Sequence, residues 1–287
     1  MADREFLNWL DKTDTPDIEY SEYWNNEDIE KEKEWYILDG NFIKMENYLK
    51  TAGFLEDLQI CAKILKDEYN LTIHGVGIDL AAGNLWAIPY LLNLGNVDKI
   101  YCLEYSKHRL FKLGPVVLDH YNVPFDKTVL VYGSFYDLHL EDKSLDFVFL
   151  SQAFHHAGDP DRLLNEMQRV LKTNGCIVII GEQFIGEPSP NDFSAYCKYW
   201  IKLSIHFLMP ETLQEKLFHR TFRLHKIFPT PTDLHPPDPI LGDHCYTSTQ
   251  YTRMFKAHGF IELPIPDPYP KMSIIMESNS PKRPGEN

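Results

Sequence analysis

The 287-residue sequence has no cysteine pair at CxxC spacing, no apolar run long enough to span a bilayer, and no surplus of basic residues. Its five cysteines, Cys61, Cys102, Cys176, Cys197 and Cys245, are odd in number and widely spaced. That argues against a disulfide framework and for reduced intracellular thiols. The opening residues, MADREFLNWLDKTD, lack the basic-then-apolar pattern of a secretory signal, so the expectation is a soluble cytoplasmic chain. Lys and Arg number 28 against 42 Asp and Glu, a formal charge of −14 that repels phosphate backbones and anionic membranes. Nucleic acid and membrane are thereby disfavoured as partners. His206, His219, His225, His235 and His244 show neither HxxxH nor HExxH spacing, and no metal is expected. The sequence is silent on oligomeric state.

What the chain does have is alternation. Residues 1 to 70 carry apolar residues at three- and four-residue spacing and read as a helical N-terminal arm or cap. From His74 the period changes. GVGID is a strand, the small-residue loop Ala81, Ala82, Gly83 follows, and LWAIPYLLNL is a helix with Pro89 in its early part. KIYCLEY, TVLVYGSF and LDFVFLSQAF read as further strands, HRLFKLGPVVLDHY and DRLLNEMQRVLK as helices, with Asn174-Gly175 as the stop. CIVIIGE is apolar nearly throughout, as a parallel strand buried on both faces must be. Repeated units of this length predict a doubly wound, mostly parallel, seven-stranded Rossmann-like α/β sheet whose core is residues 71–182 and whose last strands follow in 250–280. Residues 183–249, rich in proline, histidine and aromatics, read as an inserted substrate cap. Residues 250–280 return to pattern as a helix closed by Gly259 and the last strands, and 281–287 read as a disordered tail.

Three features fall at the carboxyl ends of successive predicted strands, where an open parallel sheet places its ligand. The first is the loop after Asp79, whose small residues let the backbone approach a ligand. The second is Glu104, 25 residues after Asp79, close to the spacing at which an acidic side chain takes ribose hydroxyls. The third is Gly133, Ser134, Phe135. Taken singly, each is as readily an ordinary turn or strand end, and their ordered placement is what points to a cofactor site.

Over residues 74 to 182 the sequence resembles the class I S-adenosylmethionine (SAM)-dependent methyltransferases, of the type 11-like domain. GIDLAAGN is similar to that family's first motif, which implies that Asp79, Ala81 and Gly83 surround the methionine part and ribose of SAM. LEYS resembles the second motif and assigns Glu104 to the ribose and Tyr105 to the face of the adenine. GSFYDL implies Ser134 and Phe135 at the adenine amino edge, and SQAFHHAGDPDRLLNEMQRVLKTNG resembles the fourth strand, the loop beside the transferring methyl, and the next helix. The chain departs from the family pattern where Ala81 and Leu85 stand in place of glycine and Ser134 in place of aspartate.

On this resemblance the expected activity is methyl transfer to oxygen or nitrogen of a small polar metabolite, such as a sugar or nucleotide-sugar-like intermediate. His155 and His156 are the candidate proton-handling groups, because an imidazole titrates near neutral pH, although either also suits a packed core position. His244, Tyr246 and Trp35 are candidate substrate contacts. Trp24, Trp35, Tyr36, Tyr196, Tyr199 and Trp200 suit the core of a helical cap and equally a cover that excludes water from the acceptor. Two other readings remain open. One is a non-catalytic SAM-binding partner module, suggested by the departures at Ala81, Leu85 and Ser134. The other is a nicotinamide-dependent oxidoreductase, for which Gly75 and Gly77 begin a GxGxxG but Leu80 occupies the third glycine position.

Overall fold

Short β-branched and aromatic runs bounded by turn signals become strands in a computed structural model, which describes residues 4–10, 24–26, 41–182, 184–185, 243–244, 246–265 and 274–278. They are β1 (Glu5–Asn8), β2 (Gly75–Leu80), β3 (Val97–Glu104), β4 (Thr128–Tyr132), β5 (Leu145–Ser151), β6 (Leu171–Ile180), β7 (Phe184–Ile185), β8 (Tyr246–Thr247), β9 (Phe260–Glu262) and β10 (Ile274–Ser278). Eight of them form one sheet in the order β1-β4-β3-β2-β5-β6-β10-β9. Strands β1 to β6 pair in parallel, and β10 runs antiparallel to both β6 and β9. Strands β7 and β8 make a separate parallel ribbon.

Both faces of the sheet are covered, which is why its central strands read as continuously apolar. Phe147 and Phe149 of β5 face a core shared with α1 (Phe42–Thr51), α2 (Phe54–Tyr69), α3 (Ile88–Asn93) and α4 (Gly114–His120). Val148 and Leu150 face the other core, shared with α5 (Pro160–Val170) and α6 (Ser248–Ala257). Helix α5 starts where the Asp159 side chain accepts from Arg162 N, with Pro160 in the first turn. A reciprocal capping box between Thr247 and Gln250 starts α6.

The sheet has eight strands, not the seven the pattern predicts, and the N-terminal arm is not wholly helical. The added strand is β1, too short to show a two-residue period and with Phe6 47% exposed. Its place is set by the edge of β4, to which Trp9 N also donates at the Tyr132 carbonyl (2.9 Å). The stretch read as one helix over residues 108–121 is a π-helical turn at Arg109–Leu113 followed by α4, because Pro115 has no backbone N–H for an uninterrupted ladder. Helix α5 ends at Val170, so Asn174, at φ +65°, lies within β6 rather than at the helix stop.

Cys61, Cys102 and Cys176 are buried free thiols, and no helix among the described residues is long and apolar enough to cross a membrane. Trp35, Tyr36, Tyr196, Tyr199, Trp200, Cys197, Cys245, most of the 183–249 segment and the tail lie outside the described residues.

Candidate functional site

Strand β2 has β3 on one side and β5 on the other, so the chain order reverses there, the point at which open sheets of this kind leave a crevice at the strands' carboxyl ends. The loop leaving β2 places Ala81 (φ +55°), Gly83 (φ +57°) and Leu85 (φ +65°) in the left-handed region within five residues. For the two non-glycines this costs about 1–2 kcal/mol each, strain of the kind that concentrates at ligand sites. Leu85, at a position where the family pattern has glycine, is fully buried and packs against Gly114, whose added Cβ would lie 2.6 Å from the leucine Cδ1. The leucine therefore turns into the core rather than filling the crevice. At Gly83 an added Cβ would meet nothing within 4 Å.

Asp79 pairs with Cys102, two residues before Glu104, so the pleat sends both carboxyl groups to one face. Glu104 Oε2 accepts from Gly83 N (2.7 Å), while Oε1 accepts from Tyr105 N (2.8 Å) and Ser106 N (2.7 Å). One buried side chain thus ties the loop after β2 to the loop after β3. Burial raises the Glu104 pKa, and these three N–H donors only partly offset that. Burial pushes the Asp79 carboxyl well above the usual carboxylate range, and the neighbouring Glu104 adds to the shift. No hydrogen bond to the Asp79 side chain is seen among the described residues.

Ser134, after β4, is buried and its hydroxyl accepts from Tyr136 N (3.3 Å). The half-buried Phe135 ring meets Tyr136 edge-on at 4.7 Å, and Tyr105 lies 6.1 Å from Tyr132. Above these loops, Asn25 donates to the Tyr105 carbonyl (3.2 Å) and accepts from Lys107 N (3.1 Å). Its neighbour Trp24 stacks under the Arg109 guanidinium and touches the His156 ring edge-on at 5.0 Å. Trp24 and Asn25 thereby bridge the two sides of the crevice.

The far side is built on the 3-10 turn Phe154–His156 after β5. His155 Nδ1 lies 3.0 Å from Glu182 Oε2, which also accepts from the Tyr251 hydroxyl (2.9 Å). Oε1 of the same fully buried carboxylate accepts from Ala153 N (3.1 Å) and Phe154 N (3.0 Å). Desolvation opposes charge on His155, yet the hydrogen bond and charge of Glu182, with Asp243 beyond, outweigh it and raise the pKa. For Glu182, burial alone would raise the pKa, but His155, Tyr251 and the Phe154 N–H together lower it. His156 Nδ1 lies 2.8 Å from Asp243 Oδ1, and burial holds this imidazole below its ordinary value despite that partner.

His244 N donates to the His155 carbonyl (2.7 Å), and the His244 ring lies parallel to Tyr246 at 5.9 Å. Tyr246 itself is buried against Phe154 and Tyr251. Glu182 and Asp243 were not among the residues singled out from sequence. An acidic residue directly after the apolar run CIVIIG is a signal for the first, whereas nothing in the linear pattern marks the second. One ligand atom each from His155, His156 and Asp243 lies within 4.8 Å of the others, a grouping invisible to a search for linear histidine spacing.

The glycines that begin a GxGxxG have other work. Both lie inside β2, before the strand ends. A Cβ at Gly77 would sit 2.2 Å from the Phe147 ring and one at Gly75 would strike Asp146, so these positions admit neighbouring side chains rather than a pyrophosphate.

Residues 78–179 match the family model described as "Methyltransferase domain". No curated protein sequence matches the chain. Among solved structures, a candidate S-adenosyl-L-methionine-dependent methyltransferase from Methanococcus maripaludis is similar at 14% identity and TM-score 0.48, covering 83% of this chain and 92% of that one. A candidate sarcosine dimethylglycine methyltransferase from Galdieria sulphuraria is similar at 20% identity and TM-score 0.47, over 77% of this chain and 65% of that one. The phosphoethanolamine N-methyltransferase 2 of Haemonchus contortus, solved with S-adenosyl-L-methionine, is 16% identical with TM-score 0.44, over 72% and 36%. The family match falls on the segment that carries the strained loop, Glu104 and the β5 turn, in a sheet with the strand order described above. Over residues 78–179, about a third of its length, this chain is therefore similar to the methyltransferase domain family.

Proposed function

We propose that the chain is a SAM-dependent methyltransferase acting on oxygen or nitrogen of a small polar metabolite, such as a sugar or nucleotide-sugar-like intermediate. The observation that carries this reading is the strained loop after β2, held by Glu104 through the Gly83 N–H, with open space in front of Gly83. SAM supplies a methyl group activated on a sulfonium.

The residues present fit that group. Glu104 Oε1 is filled by Tyr105 N and Ser106 N, whereas Oε2, with Gly83 N as its donor, retains capacity to accept from a ribose hydroxyl. Asp79 and Glu104 share one face of the sheet, where we assign the cationic cofactor, and Tyr105, Ser134 and Phe135 are assigned to its adenine. On the acceptor side, Glu182 fixes the His155 ring through Nδ1, so Nε2 carries the lone pair that receives the acceptor's proton. Trp24 and Asn25, bridging the crevice, exclude water and restrict the acceptor's approach. His244, Tyr246 and Trp35 are the proposed sources of acceptor selectivity.

The test is calorimetric titration with S-adenosylhomocysteine and, separately, NAD, followed by transfer of labelled methyl from SAM to a panel of sugars, nucleotide sugars and amines. Saturable binding of S-adenosylhomocysteine alone is expected. His155→Asn is expected to retain that binding and lose about 10²–10⁴-fold in transfer rate, the range for one general base. Binding of NAD alone, or of neither, overturns the proposal. Tight binding with no transfer to any acceptor would favour a non-catalytic module.

A further inference from the structure

We propose that His155, His156 and Asp243 form a three-ligand site for a divalent first-row cation of the zinc class, with open coordination positions for an oxygen of the methyl acceptor. The donors come from two places in the chain, the turn after β5 and the segment before β8. They are joined by the His244 N–H to His155 carbonyl bond, and one ligand atom from each lies within 4.8 Å of the others. Two imidazoles and one carboxylate suit zinc and its neighbours, and a site with three protein ligands leaves room for a substrate or water.

The surroundings are those of a metal site rather than of a simple ion pair. A metal-bound imidazole commonly donates its other N–H to a carboxylate that sets its tautomer and orientation. Glu182 occupies that place for His155, and is itself fixed by Tyr251 and two backbone N–H groups. The His156–Asp243 contact of 2.8 Å holds the other two donors side by side, with the Trp24 ring covering His156. A pairing of His156 with Asp243 alone would need neither the Glu182 hub nor the convergence of His155.

A cation held here takes the His155 Nε2 lone pair, so in the loaded enzyme His155 serves as a ligand instead of as the general base, and the cation makes a coordinated hydroxyl more acidic. The acceptors it favours carry two adjacent oxygen donors, such as vicinal diols or α-hydroxy acids. That last step rests on the methyltransferase reading, whereas cation binding does not.

The full-length chain, stripped with a chelator, would be titrated with Co²⁺ while the visible ligand-field bands are followed. One equivalent is expected to bind with bands of low coordination number, which shift on addition of a vicinal diol. Glu182→Gln is expected to weaken Co²⁺ by about 10–100-fold, the usual cost of losing a partner that orients a ligand, and Asp243→Asn by more. S-adenosylhomocysteine affinity should stay within about threefold of wild type in both, less than 1 kcal/mol, which shows that the fold persists. Absence of the bands, or Co²⁺ binding that survives Asp243→Asn and therefore belongs to other histidines, overturns the proposal. Loss of S-adenosylhomocysteine binding by the wild-type chain would instead strike the methyltransferase reading and leave the cation result standing.

Discussion

Glu104→Gln separates what the carboxylate does for the cofactor from what it does for the fold. Oε1 serves two backbone donors and Oε2 serves Gly83 N alone, so a glutamine satisfies Tyr105 and Ser106 with its carbonyl and turns its NH₂ toward the Gly83 N–H. Donor then faces donor, and one charge-assisted hydrogen bond worth about 1.5–3 kcal/mol is lost. At 1.4 kcal/mol per factor of ten, S-adenosylhomocysteine affinity should fall by about 10–150-fold if that bond presents the loop to the cofactor. The fold loses less, because the neutral amide escapes the desolvation that raises the Glu104 pKa. At about 2–4 °C per kcal/mol for a chain of this size, the unfolding midpoint should move by only a few degrees. Alanine is the wrong probe, since it leaves three N–H groups unpaired, one buried and two part-buried, at up to about 1–3 kcal/mol each, a large part of the stability of a domain. Titration calorimetry with S-adenosylhomocysteine and thermal unfolding by circular dichroism provide the two readouts. Wild-type affinity in the glutamine variant, or a collapse of the midpoint, would refute the reasoning.

Gly83→Ala places a methyl group in the open crevice and a Cβ in the left-handed region. We expect about 1–2 kcal/mol lost from urea-unfolding stability and a clear fall in S-adenosylhomocysteine affinity; unchanged affinity would remove Gly83 from the cofactor site. Gly77→Ala drives a Cβ into the Phe147 ring and should cost about 1–3 kcal/mol through overpacking, with partial rescue by Phe147→Leu; a neutral effect would mean that the strands part easily there. Asp79 has a folded-state pKa raised by burial and then by Glu104, so its contribution is most favourable below the ordinary carboxylate value of about 3.9 and is lost as pH rises toward the folded value. Asp79→Asn should therefore gain stability relative to wild type as pH climbs from about 4 to 7, measured by urea unfolding, while binding S-adenosylhomocysteine less well; a pH-independent difference would contradict the burial argument.

The alternation of apolar runs with amphipathic helices was enough to specify a doubly wound parallel sheet, because strands buried on both faces and helices covering them have unmistakable periods. It also singled out Asp79, Gly83 and Glu104 as the residues proposed for the cofactor, since ligand groups in such sheets gather at the carboxyl ends of the strands and those ends are legible as the points where the period changes. Local pattern could not find β1, whose four residues owe their conformation to an edge strand more than 120 residues away. Nor could it show that Leu85 turns under Gly114 and leaves the crevice clear. The proposed acceptor side depended most on tertiary structure. Glu182 meets His155 from 27 residues away, and Asp243 arrives from a segment with no periodic signal, because a side chain's partner is chosen by the crossing of loops in space. Linear spacing therefore determined the sheet and marked the carboxylates proposed to face the cofactor, while the packing of strand ends and one returning segment decided which groups surround His155.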